Sequence, residues 1–237
     1  MGCNCRSALT ALLDFKHKTF VLLIVIILPT LFAWSQANPD SVRINRALDA
    51  YMRLPTPPER SSVEATEAAK RAAEVRGLDS PTARATLLER VGDASNGHDL
   101  AKFHYLLKSM PVSMKSEFFT KATAESNAVK RRHFIRVADA FWGQDAVRFL
   151  VAQLDDKRPT EDSARTDKWA VRVCDIALNE LNKNIGNQLE IDIGFGTGGG
   201  DTIVRDVPTE KRDQWITTLK SALIAKYGPD LNVPDKH

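Results

Sequence analysis

Cysteine is scarce and badly placed for cross-linking. Of three in 237 residues, Cys3 and Cys5 lie near the start and only Cys174 stands in the body of the chain. A lone thiol forms no internal disulfide, so a domain that contains it must be stable through its core alone. Excess charge of one sign is missing as well. Lys plus Arg is 33 and Asp plus Glu is 30. Residues 1–37 carry Arg6, Lys16 and Lys18 against Asp14, which leaves 30 basic against 29 acidic side chains in the remainder. A nucleic-acid binder usually shows a clear basic excess, so no nucleic-acid partner is expected. With 43% apolar and 27% charged residues, wholesale disorder and a multi-span membrane protein are both disfavoured.

Motifs for chemistry are also absent. His98, His104, His133 and His237 do not pair with another His or Cys at metal spacing, and His-Glu-x-x-His does not occur. There is no Gly-x-Ser-x-Gly. The glycine run 194–200 ends in Gly200-Asp201, where a phosphate loop needs Lys and a hydroxyl, so it reads as a connector. No catalytic residue, cofactor or metal is therefore assigned.

What the chain has first is a leader. A basic start precedes the apolar run Phe20 to Trp34, and small residues stand at Ser35 and Ala37. These are the parts of a secretory signal cut after Ala37. The run is about 15 residues, where a comfortable membrane span needs about 20. An uncleaved anchor is the alternative, and both readings place the remaining 200 or so residues outside the cytoplasm, periplasmic or secreted. Met1-Gly2-Cys3 invites a lipidation reading, but position six is Arg6 rather than Ser or Thr.

Beyond the leader the pattern is helix after helix. Ile44, Leu48 and Tyr51 recur at helical spacing. Ser61 or Ser62 can cap a helix carrying Ala65, Ala68, Ala69, Ala72 and Ala73, ended by Gly77. Ser80-Pro81 starts another, with Leu87, Leu88 and Val91. Further faces are Leu100, Phe103, Leu107, Met110; then Met114, Phe118, Ala122; then Phe134, Ile135, Ala138, Phe141, Trp142 after Asn127. Val147, Leu150, Val151 and Leu154 follow. Asp167 can cap a helix Trp169 to Ile185 with core face Val173, Cys174, Ala177, Leu181, Ile185, closed by Gly186. Leu189 to Ile193 alternates like a short strand, and Pro208 opens a last helix with Trp215, Ile216, Leu219, Leu223 and Tyr227. Residues 229–237 read as a fraying tail. The expected fold is all-α: an irregular stack of antiparallel helical hairpins with at most one short strand, spanning 38–228.

The pairs Met114 to Trp142 and Ala146 to Ile185 begin about 32 residues apart, a repeat-like period. The later one contains Trp169-Ala-Val171-Arg172-Val-Cys174-Asp-Ile-Ala177-Leu178 and closes in Asn184-Ile185-Gly186. This resembles the second helix of HEAT-like repeats, and Val129-Lys130-Arg131 is an echo of it. Asp192 to Trp215 looks like the terminal segment after such repeats in some bacterial proteins. The resemblance covers about residues 112–227. It implies an α-solenoid interaction scaffold and carries over no catalytic residue.

Two charged clusters remain. Lys130, Arg131, Arg132 and Arg136 could meet an anionic surface, or could be a solvated helix face. Asp155, Asp156, Glu161, Asp162 and Asp167 lack calcium-loop spacing and read as a polar loop. Cys174, among apolar neighbours, reads as a core residue. The expected function is an exported, non-catalytic scaffold binding another macromolecule, most simply a protein. The alternatives are a small extracytoplasmic hydrolase using carboxylates such as Glu180 in a helical cleft, and a membrane-tethered structural protein.

Overall fold

The computed structural model describes residues 38–56, 61–160, 170–189 and 207–234. The chain divides into two units at Val42 and Arg43. Of the first, only 38–42 is described, the opening of a helix; the second holds the packed helices.

Nine helices occur among the described residues, with no strand: α1 Pro39–Met52, α2 Ser62–Gly77, α3 Pro81–Gly92, α4 Gly97–Lys108, α5 Ser113–Ala124, α6 Ala128–Val137, α7 Gln144–Gln153, α8 Val173–Leu181 and α9 Thr209–Tyr227. The fold is all-α. The sequence sets many of the boundaries through its caps. Ser61 and Glu64 form a reciprocal capping box at α2. Ser80 accepts the Ala83 N–H, with Pro81 at the first helical position of α3. Asn96 accepts from Asp99 at α4, and Asn127 accepts from Val129 and Lys130 at α6. Gly143 has φ of 151°, a backbone conformation open to glycine, and lets the chain turn sharply into α7.

Helix α8 lies at the centre and packs against α6, α7 and α9. Every residue from Val173 to Leu181 except Asn179 is buried. A helix surrounded on all sides needs apolar residues all round rather than one stripe. The single core face expected from spacing therefore understates its burial. Around it, Phe118 from α5 meets Phe134, Phe141 and Phe119 at ring-centre distances of 5.6, 5.3 and 5.1 Å. Edge-on and tilted aromatic contacts of this kind add to simple area burial. At the far end, Tyr51 donates to the Lys102 carbonyl (3.3 Å) and Lys102 to the Met52 carbonyl (2.8 Å), which ties α1 to α4.

Several boundaries differ from expectation. Helix α6 stops at Val137, and Ala138–Phe141 tightens into a 3-10 turn instead of continuing to Trp142. Helix α8 begins at Val173, not Trp169. Its first N–H groups are taken by an extended partner: Val173 donates to Arg158 O (3.0 Å) and Cys174 to Asp156 O (2.9 Å). Thr160 donates to Val171 O through both its N–H and its hydroxyl (2.9 Å each), and Pro159 bridges Arg172. Residues 170–172 are thereby held out of the helix. Nor does α8 close at Gly186; a π turn, Asn182–Gly186, leads into one more helical turn, Asn187–Leu189. Residues 229–234 do not fray. Leu231 and Val233 are buried, and Gln144 and Arg148 of α7 hold the segment through the Asp230 carbonyl and Asn232. The leader, the Asp167 cap, the strand from 190 on, the glycine run and residues 235–237 lie outside the described residues.

Candidate functional site

Two ionic clusters are built into the core, on either side of α8. The first joins α4, the 3-10 turn and the end of α8. The tight turn presents Asp139, whose Oδ1 lies 2.8 Å from His104 Nδ1. The π turn presents Lys183, whose Nζ lies 3.4 Å from both Asp139 and Glu180. Asn184 donates to the Glu180 carbonyl (2.9 Å) and fixes the turn. Glu180 is only 7% exposed. Burial pushes its carboxyl above the ordinary value, and Lys183 offsets this only in part. Burial acts the same way on Asp139, but the hydrogen bond and charge of His104, with Lys183, outweigh it and hold the carboxyl below its ordinary value. Two carboxyls driven apart around one ammonium is an arrangement that acid–base chemistry uses. It needs a substrate cavity as well. One cleft outlined by described residues lies elsewhere, between α2, α3 and the α4–α5 turn; Val75, Leu78, Leu87, Met110 and Met114 line it, and its free space is about that of a single water. None of the four cluster residues lines it.

The second cluster fastens α9 to the start of α8. Asp175, fully buried, accepts from the Arg172 N–H (2.9 Å) and from its guanidinium at Nε and Nη2 (3.1 and 2.9 Å). It also pairs with Arg212 of α9, itself fully buried, whose two Nη atoms reach the Ala170 carbonyl (3.1 and 3.0 Å). Asp213 bridges Arg172 (2.8 Å) and Lys157 (3.0 Å). Burial raises the Asp213 carboxyl, but the bonds from Arg172 and Lys157 win and hold it low. Beside this network sits Cys174, whose thiol burial pushes up to about 12, with Asp175 adding to the effect. Such a thiol is a core group rather than a nucleophile.

The basic cluster of α6 does not form one open face. Lys130, Arg131, Arg132 and Arg136 are all half-buried. Lys130 pairs with Asp93 of the α3–α4 link (2.6 Å). Arg131 reaches the carbonyls of Thr123 and Glu125 at the end of α5, then Gln153 (3.1 Å), the last residue of α7, and Asp156 (3.3 Å) just beyond it. Its guanidinium satisfies two carbonyls at the end of α5 and two side chains at and just after the end of α7, so it works as a joint between α5, α6 and α7. His133 meets the Gly92 carbonyl (2.8 Å), and its burial lowers its pKa.

The acidic residues are equally engaged. Arg158, then Arg131, hold Asp156 below its ordinary pKa, and Asp155 pairs with Lys220 (2.6 Å). Glu161, Asp162 and Asp167 lie outside the described residues. Among the described residues, no group of three or more His, Cys, Asp or Glu is placed to hold a metal ion, and no helix is long and apolar enough to cross a membrane. Sequence reasoning singled out Glu180 but missed Asp139, Lys183, Arg172 and Arg212. Arg172 with Asp175 and Glu180 with Lys183 are three apart, a helical spacing that the sequence offered, whereas the partners 37 and 44 positions apart leave no local pattern. No protein-family model, no curated protein and no solved structure matches the chain.

Proposed function

We propose that this is an exported, non-catalytic helical scaffold that binds another macromolecule through its helix faces and loops. One observation carries the reading: the ionisable groups inside the fold are turned toward one another and tie helices together. Arg131, Asp156, Arg172, Asp175 and Arg212 each bond to two or more partners in the chain. Side chains left for a partner are on the outside, among them Val63 and Val112, 76% and 84% exposed. Such a surface binds by shape and by a few apolar anchors. Export rests on the leader alone. The HEAT-like resemblance supports the same role through a stacked-helix platform.

The test is affinity capture from the cell envelope with the full chain, the wild type against Val112→Asp and Val63→Asp. A partner held by the wild type and lost by a variant of unchanged circular dichroism is the expected outcome. A chain from which neither substitution removes any bound protein refutes the use of these faces.

A second reading, a small extracytoplasmic hydrolase, is favoured by Asp139 and Glu180 alone. It requires that Glu180→Gln abolish hydrolysis of some ester, amide or glycoside by the wild-type chain. In the third, the uncleaved leader tethers the domain to the membrane. Intact mass separates the last from cleavage: a mature chain beginning before Asn38 retains its leader.

A further inference from the structure

We propose that the outward face of α1, with the turn at Arg53 that continues it through the Arg53 N–H to the Asp49 carbonyl (3.2 Å), docks onto anionic lipid headgroups through Arg43, Arg46 and Arg53. At about 100° per residue the three arginines fall within an arc of about 80°, and its middle lies about 150° from that of the buried Ile44, Leu48 and Tyr51. All three are exposed. Of the two acids of this helix, Asp40 stands one turn before Arg43, and Asp49 is taken by Arg90 of α3 (2.8 Å), which also donates to Asn45 (3.1 Å). Among the described residues none of the three arginines has an ionic partner, whereas Arg71, Arg84, Arg131, Arg158, Arg172 and Arg212 all do. The stripe is therefore a local positive field on a nearly neutral chain, made of side chains that fork onto phosphate oxygens.

Position in the sequence chooses lipid over other anions. Arg43 stands nine positions after Trp34, the end of the apolar run. A chain of that length reaches at most about 30 Å, so a retained run engaged with a bilayer limits Arg43 to about that distance from it. The inference rests on the reading in which the leader is retained as an anchor, and goes beyond it in naming a second, headgroup-binding surface.

The experiment is co-sedimentation of the full chain with phosphatidylcholine vesicles and with vesicles containing about 30 mol% phosphatidylglycerol. Binding to the neutral vesicles reports on the leader. The anionic-over-neutral ratio reports on the stripe. A basic residue near such a surface contributes about fivefold, so the triple variant R43Q/R46Q/R53Q is expected to cut the ratio on the order of 100-fold, and salt to weaken the wild type toward the variant. The matched control K70Q/K108Q/K121Q removes three exposed charges elsewhere and is expected to leave the ratio unchanged. A wild type without anionic preference, a triple variant that keeps it, or a control that loses as much overturns the proposal. So does equal loss of binding to a soluble anionic polysaccharide with no vesicle effect, which would assign the stripe to that polymer.

Discussion

Asp175→Asn tests whether the buried network holds the C-terminal helix in place. The carboxylate of Asp175 faces Arg172 and Arg212 with no access to water. Asn preserves volume and one acceptor oxygen but removes the charge, leaving two guanidinium groups with Asp213 as the remaining nearby carboxylate. Breaking a buried pair from one side costs about 3–5 kcal/mol, and the near-isosteric change puts the expected loss at the lower end, about 3 kcal/mol. For a domain of about 200 residues this corresponds to a Tm lowered by about 6–12 °C. Urea denaturation followed by circular dichroism measures it. Arg212→Met should also destabilise, and the double variant should fall short of additivity by about 1–3 kcal/mol because the two share one interaction. Hydrogen exchange should quicken in α9 first, since Arg212 is its fully buried charged anchor. Added salt should change little, because the pair is shielded from it. A loss under about 1 kcal/mol, strict additivity, or a loss that vanishes in salt would show that the network is incidental to stability.

Glu180 and Asp139 should respond to pH in opposite senses. The folded pKa of Glu180 is raised, so its contribution is whole below 4.5 and is lost as pH climbs through the raised value; Glu180→Gln should gain on the wild type from acid toward neutral pH in denaturant titrations. For Asp139 the folded pKa is depressed, so its contribution is present above 3.8 and is lost as pH falls through the depressed value. Asp139→Asn should thus lie below the wild type at neutral pH and converge with it in strong acid. Cys174 should resist iodoacetamide in the native protein and react fully in denaturant, read by peptide mass spectrometry; native labelling would contradict its burial. Phe118→Ala should cost about 3–5 kcal/mol, because the ring is fully buried among three other phenylalanines. A loss near 1 kcal/mol there would mean that the cluster collapses onto the vacancy.

The helical pattern was legible where each helix has one dry side and a capping residue. Ser61, Ser80, Asn127 and Gly143 each mark a boundary that the fold uses. It was less legible where burial is all round. For α8 the spacing of Val173, Cys174, Ala177 and Leu181 names a face, yet Ile176 and Leu178 are buried as deeply. Its start was misplaced because Trp169 to Val173 looks helical by composition, while the deciding hydrogen bonds come from Asp156, Arg158 and Thr160. The basic run 130–136 looked like a surface because its partners, Asp93, Gln153 and Asp156, are scattered along the chain. Local pattern reports how a segment lies against the core; it does not report which distant group its charge will meet.

The joint between 158–160 and 171–173 has a practical consequence. Pro159 and Arg172 stand opposite each other, and Thr160 is bonded twice to Val171, so the two ends of the intervening segment are pinned side by side. Doubling the length of a flexible connection between two ends held this close adds only about 0.6 kcal/mol of closure entropy. This is therefore the place to graft an epitope, a fluorescent domain or a second binding module, and such an insertion would leave α1, the packed C-terminal segment and the phenylalanine cluster where they are.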